Sequence, residues 1–235
     1  VCAAKSSQSP GYGGGPMRAI VLQHETHEHL GLLEPALKEA GFSLVKRFRD
    51  VERADLEAEL VVVLGGGFSV GDSAHPFLGK EQAFLSERLT LDRPCLGICL
   101  GAQLMAAASG AEVFKGKNGS EVGIAPVRWT KAGLEDPVLA GFGAKLTVAH
   151  WHEYTWSPMD GAALLASTDR DTQQAFRRGT SYAFQFHPEL DAKSWLEWVD
   201  GGVESLRAAG KDVAALKADA GKLRAVEPQL ATLCA

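Results

Sequence analysis

Cys99 stands between two glycines in Gly97-Ile98-Cys99-Leu100-Gly101, after the apolar Pro94-Cys95-Leu96 and before Gln103-Leu104-Met105-Ala106-Ala107-Ala108. A small–x–nucleophile–x–small pattern between a strand and a helix makes a sharp turn that lifts the central side chain above the carboxyl ends of the strands. The turn also puts the sulfur at a helix N-terminus, where unpaired N–H groups and the helix dipole favour the nucleophilic thiolate. A free cysteine can equally be a small buried apolar residue, and Cys95, inside the strand, is read that way.

A cysteine nucleophile needs a base that takes its proton and returns it to a leaving amine. Of the seven histidines, His187 in Phe184-Gln185-Phe186-His187-Pro188-Glu189 is the best placed, at the end of an apolar strand. Glu189 lies two residues on, where period-two alternation keeps both side chains on one face and lets the carboxylate hold the imidazole in its working tautomer. Acyl transfer also needs donors aimed at the oxyanion. The backbone N–H of Leu100 is one, and Gly65-Gly66-Gly67, after the apolar run 60–64, is the obvious source of another. The triple glycine is no phosphate loop: it lacks the lysine of GxxxxGK[ST], and Val70 occupies the place of the last glycine of GxGxxG.

These residues need a parallel sheet with its carboxyl edge exposed, and the alternation of elements supplies one. Short apolar strands are expected over 19–22, 42–45, 60–64 and 94–98, with helices over 32–40, 77–89 and 100–109 between or after them. This is the rhythm of a doubly wound α/β sheet with helices on both faces. After Gly110, short strands over 122–127, 146–149, 163–167, 174–176 and 182–186 predict a small antiparallel or mixed extension. An amphipathic helix follows over 195–206, and a further helical segment over 210–235 is expected to pack on the body of the domain. Residues 1–16, rich in Gly, Ser and Pro, read as a flexible leader or a cloning remnant, with Met17 as the natural start. The expected organisation is a leader over 1–16, one catalytic domain over 17–208 and a C-terminal helical extension over 209–235.

Composition narrows the function. With 235 residues, 46% hydrophobic and 23% charged, the chain can bury a substantial core. A net charge of -5 without a basic stripe argues against nucleic acid, and no apolar run is long enough for a bilayer. The four cysteines form neither a disulfide framework nor a CxxC zinc pair, so free thiols and a cytoplasmic location are expected. His24, His27 and His29 crowd into six residues, but lack metal-binding spacing and read as a solvated loop at the rim of the site. His150 and His152 flank Trp151 as strand-end or substrate-contacting residues, while Trp195 and Trp198, at helical spacing, read as packing. No metal and no cofactor are expected.

The segments PCLGICLGAQLMA (94–106), VVLGGGFSV (62–70) and FQFHPEL (184–190) resemble the three signature segments of class-I glutamine amidotransferases. The similarity is greatest to stand-alone, GMP-synthase-like members. It extends over most of 17–200, through MRAIVLQHE, DPVLAGF (136–142), HWHEYTW (150–156) and LLASTDRDTQQAF (164–176) in the expected order. The resemblance implies a flavodoxin-like fold that hydrolyses the side-chain amide of glutamine through a γ-glutamyl thioester on Cys99 and passes ammonia to a synthetase. It implies oxyanion donors at Gly66 and Leu100, with Gly67 in the same loop, glutamine contact by Gln103, and a pocket lined by Trp151, His152, Glu153 and Tyr154.

Two positions depart from the family pattern. Glu153-Tyr154 stands where a glycine and an aspartate are frequent, and Gly67 stands where proline is frequent. If that aspartate pairs the substrate's α-ammonium, either Glu153 replaces it or the substrate is blocked or larger. No ATP-binding synthetase segment follows, so an ammonia-consuming partner is expected on a separate chain. The competing readings are a free-standing γ-glutamyl peptidase or amidase acting on a small metabolite, and a non-catalytic binding module. The intact Cys99, His187 and Glu189 argue against the last.

Overall fold

The computed structural model describes residues 17–235, so the leader expected over 1–16 lies outside the described residues. The first half alternates as expected: β1 (Met17–Gln23), α1 (Leu33–Glu39), β2 (Phe42–Phe48), β3 (Leu60–Val63), α2 (Pro76–Thr90), β4 (Cys95–Ile98) and α3 (Leu100–Ala108). The second half runs β5 (Val113–Lys115), β6 (Glu121–Trp129), α4 (Lys131–Glu135), β7 (Lys145–His152), β8 (Tyr154–Trp156), β9 (Ala163–Ser167), β10 (Ala175–Arg178) and β11 (Ser181–Phe184). Four helices close the chain: α5 (Ala192–Gly201), α6 (Val203–Ala208), α7 (Val213–Ala218) and α8 (Ala220–Cys234).

Nine strands form one sheet in the order β2-β1-β3-β4-β11-β10-β9-β6-β7. The pairs from β2 through β11 are parallel, and those from β11 to β7 are antiparallel. This is the expected α/β architecture. The strands β3 and β4 are buried along their whole length, as a central parallel strand covered on both faces must be. One face of the sheet packs on a cluster that includes Phe84, Leu85, Leu104 and Met105, and the other on one that includes Leu33, Trp195, Leu223, Leu230 and Leu233. The C-terminal helices therefore share a core with the sheet. Arg88 is fully buried beneath the first face, where its guanidinium donates to the carbonyls of Asp55, Leu56, Ala58 and Pro94.

Three local readings change. The helix expected over 195–206 is two helices, α5 and α6, parted at Gly201-Gly202. Residues 113–115 and 154–156, not expected as a strand pair, form a separate two-stranded antiparallel sheet. The last strand stops at Phe184, leaving Gln185 and Phe186 to lead the chain across to His187.

The close approach of α3 to the sheet depends on two glycines. A Cβ on Gly101 would lie 2.0 Å from the Val63 carbonyl oxygen, and one on Gly97 would lie 2.7 Å from the Gly101 carbonyl. Gly101→Ala is expected to cost ~3 kcal/mol in equilibrium denaturation, because backbone must move. Gly79→Ala, on α2 with open space around it, should be neutral or slightly stabilising.

Candidate active site

Every candidate group lies at the carboxyl edge of the parallel strands, the usual ligand edge of such sheets. Cys99 joins β4 to α3 with φ 51° and ψ -107°, a conformation that costs free energy in a non-glycine residue. Its backbone N–H donates to the Phe184 carbonyl at 2.8 Å, and its thiol lies 3.7 Å from the Trp151 carbonyl oxygen. Leu100 is the first residue of α3, so its N–H has no partner within the helix.

His187 follows β11 across the edge, and its N–H donates to the Ala149 carbonyl on β7 at 2.9 Å. Its Nδ1 is 2.7 Å from Glu189 Oε1, and both side chains are almost fully buried. Nε2 is buried and has no hydrogen-bond partner among the described residues. Burial opposes charging this ring. The Glu189 carboxylate, with the nearby Cys99 sulfur, outweighs it and holds the His187 pKa well above its usual value. The loop is braced from two directions. Leu32 N–H donates to the Glu189 carbonyl at 2.8 Å, and the Cys234 thiol at the end of α8 reaches the Pro188 carbonyl at 3.6 Å. Gly31, at φ 48°, permits the first contact, since a Cβ there would lie 2.0 Å from the Glu189 carbonyl oxygen.

The glycine loop after β3 runs beside Cys99, where Gly66 and Gly67 line the cavities that reach the thiol. His24 anchors this loop: Nδ1 is 2.7 Å from the Gly65 carbonyl oxygen and Nε2 is 2.8 Å from Glu81. Both residues are fully buried. Burial opposes charge on His24, but the Glu81 hydrogen bond and charge prevail and raise its pKa. The structure thus corrects the expectation of a solvated rim at one residue: His24 directly follows β1 and turns inward, while Thr26 and His27 stay exposed and His27 and His29 line a cavity that reaches Cys99.

Two cavities meet at Cys99, sharing Gly66, Gly67 and Trp151. The first, of about 510 Å³, holds Gln103 and the whole 151–154 segment, and adds Lys115 and Lys211. Gln103 is buried and donates to Gln185 Oε1 at 3.2 Å. Glu153 is exposed and pairs with Lys115 at 3.1 Å, and the Lys115 ammonium lies 5.7 Å from the centre of the Tyr154 ring. His152 lies behind this wall, with Nε2 3.3 Å from Glu121, and His150 is buried beside it. The ligand atoms of Glu121, His150 and His152 lie within 4.8 Å of one another. The Glu121 carboxylate also accepts from Gln174 at 2.7 Å and Thr168 at 3.2 Å, so protein donors already occupy it. Burial pushes His150 down to about 4, which leaves it neutral at ordinary pH.

The second cavity, of about 650 Å³, opens on the His187 side and includes Glu25, Glu28 and Trp198. Trp198 is not merely packing: its ring stands edge-on to His187 at 4.9 Å between centres, while Trp195 is fully buried and bonded to the Leu216 carbonyl. Glu28 is a residue that sequence reasoning misses. Its carboxylate shares the space over Gly65 with His187 Cε1. The only signal in the sequence is its position shortly after the carboxyl end of β1.

A buried imidazole–carboxylate pair beside a thiol at a helix N-terminus can perform acyl transfer by covalent catalysis. The fold and this arrangement are those of a class of amide-hydrolysing α/β enzymes. Residues 33–197 match the family model of class-I glutamine amidotransferases, and the chain belongs to that family. It is 32% identical over 188 residues to YfeJ, a glutamine amidotransferase-like protein of Salmonella typhimurium, covering 76% of this chain and 78% of that protein. It is 30% identical over 182 residues to one of the subunits of the glutamine-hydrolysing GMP synthase of Saccharolobus solfataricus, covering 76% and 87%. The crystal structure of a glutamine amidotransferase from Thermotoga maritima superposes with a TM-score of 0.84 at 28% identity, covering 94% and 96%. Among the described residues, no helix is long and apolar enough to cross a membrane.

Burial raises Glu28 from 4.5 to about 7, with the neighbouring His187 charge opposing the shift. Between those values the folded protein keeps a proton that the unfolded chain has released, so stability falls as pH rises through that window. Glu28→Gln removes this titration. Its thermal midpoint relative to the parent should therefore improve from about pH 4.5 to about pH 8. An offset that is the same at both ends would show that Glu28 titrates alike in the folded and unfolded chain.

Proposed function

We propose that the chain hydrolyses the side-chain amide of glutamine through a γ-glutamyl thioester on Cys99, releasing ammonia to a synthetase on a separate chain. The observation that carries this reading is the placement of the Cys99 thiol at the start of α3 beside the buried His187–Glu189 pair, joined at 2.7 Å. The sulfur attacks the γ-carbonyl, and the C–N bond breaks as His187 gives its proton to the departing nitrogen. Water then splits the thioester as His187 takes a proton from it, and the sulfur departs as the restored Cys99 thiol. Glu189 holds the ring in register and offsets its charge.

The developing oxyanion would be received by the N–H groups of Leu100 and of the Gly66-Gly67 loop. The first cavity suits the glutamyl portion. Gln103 and the 151–154 segment form its wall, and Lys115 and Lys211 offer positive charge to the α-carboxylate. Glu153, which takes the exposed place beside Lys115, offers the α-ammonium a partner in a pocket where Tyr154 cannot. The relatives named as GMP synthase subunits support a synthetase partner on another chain.

Incubating the purified chain with L-glutamine should release glutamate, and Cys99→Ala should abolish that release. Glu189→Gln should lower kcat by on the order of 10³, the scale of a misdirected general base. Full glutamate release by Cys99→Ala would refute the thioester mechanism.

A further inference from the structure

The two cavities that meet at Cys99 differ in sign. The first contributes Lys115 and Lys211 against the single carboxylate of Glu153, and the second contributes Glu25, Glu28 and Glu197 with no lysine or arginine in its lining. His187 lines only the second. The group that donates a proton to the leaving nitrogen must face that nitrogen, so the acidic cavity is on the leaving-group side of the scissile bond. At about 650 Å³ it has room for far more than ammonia.

The three carboxylates are not equivalent. Glu25 pairs with Arg49 at 3.3 Å, and Glu197, on the exposed outer face of α5, is 3.7 Å from Lys193. The Glu28 carboxylate has no hydrogen bond or ion pair to a cation among the described residues, although it lies over Gly65 beside His187. An unpaired, half-buried carboxylate in one cavity with an indole, that of Trp198, is a setting that favours an ammonium group through charge and cation–π attraction. Burial also holds the proton on Glu28 to about 7, and an incoming cation relieves that cost.

We infer that the acidic cavity is a leaving-group subsite, anchored by Glu28, for γ-glutamyl amides whose amine portion carries a second positive charge. The inference rests on the Cys99 thioester reading and adds a substrate class to it. In the first step the Cys99 sulfur bonds to the γ-carbon, the C–N bond breaks, and the proton on His187 passes to the nitrogen of the departing diamine. In the second step water cleaves the thioester, giving glutamate and restoring the thiol and imidazole. No other reactant is required.

The test compares three substrates with the full chain: L-glutamine, the γ-glutamyl amide of 1,4-diaminobutane, and γ-glutamyl-n-pentylamide, in which a methyl replaces the terminal ammonium. The cationic amide should exceed the neutral one in kcat/KM by about tenfold or more, the scale of one charge-assisted contact. In Glu28→Gln that ratio should fall toward unity, whatever the absolute rates. Because the ratio in the unaltered protein is informative by itself, the inference does not depend on how well the variant folds. Cys99-dependent glutamine hydrolysis with equal or no turnover of the two larger amides would overturn the subsite and leave the thioester reading standing. A cationic preference that survives in Glu28→Gln would overturn the assignment to Glu28. Absence of Cys99-dependent turnover with all three substrates would refute the thioester reading, and the subsite with it.

Discussion

The architecture turns on how closely α3 approaches β3. With the Gly101 Cα against the Val63 carbonyl, the helix can begin immediately after β4, and the connecting residue has no choice but the positive-φ conformation seen at Cys99. That turn sets the sulfur above the sheet edge and at the start of the helix, whose leading N–H groups have no partner within it. Displacing α3 outward would relieve the backbone at Cys99 and lose both placements together. Strain in one residue is thus the local cost of a geometry that the packing of a whole helix imposes.

Around that turn the chain repeats one device three times. A buried imidazole is tied to a carboxylate in His24–Glu81, His187–Glu189 and His152–Glu121, at 2.8, 2.7 and 3.3 Å. Each pair stands behind a different segment of the site: the glycine loop, the histidine after β11, and the 151–154 wall. Buried ion pairs add little net stability once desolvation is counted. Their contribution here is positional, since each fixes the direction of a segment where regular secondary structure ends.

The Cys99 turn and the His187–Glu189 pair were legible because their determinants are local. Glycines two residues either side of a cysteine, or a carboxylate two residues past a histidine, can be read from a short window. The partner of His24 lies 57 residues away, and the space shared by Glu28 and His187 exists only after β1 and β11 enter the same sheet. Trp195 and Trp198 stand three residues apart on α5, yet one is sealed in the core and the other lines the site, because that spacing falls short of a full turn and sets the two rings on neighbouring faces of one helix. The strands over 113–115 and 154–156 are too short to display an alternation, so their pairing is visible only in three dimensions.

The contact between the end of α8 and Pro188 spans 46 residues of chain. The loop bearing His187 and Glu189 already holds the Leu32 contact on its other side, so α8 adds a second brace and not the first. The Cys99 turn is held separately, by the packing of α3 on β3. Undocking of α8 would therefore loosen one side of the imidazole loop while the turn that carries the sulfur stayed formed.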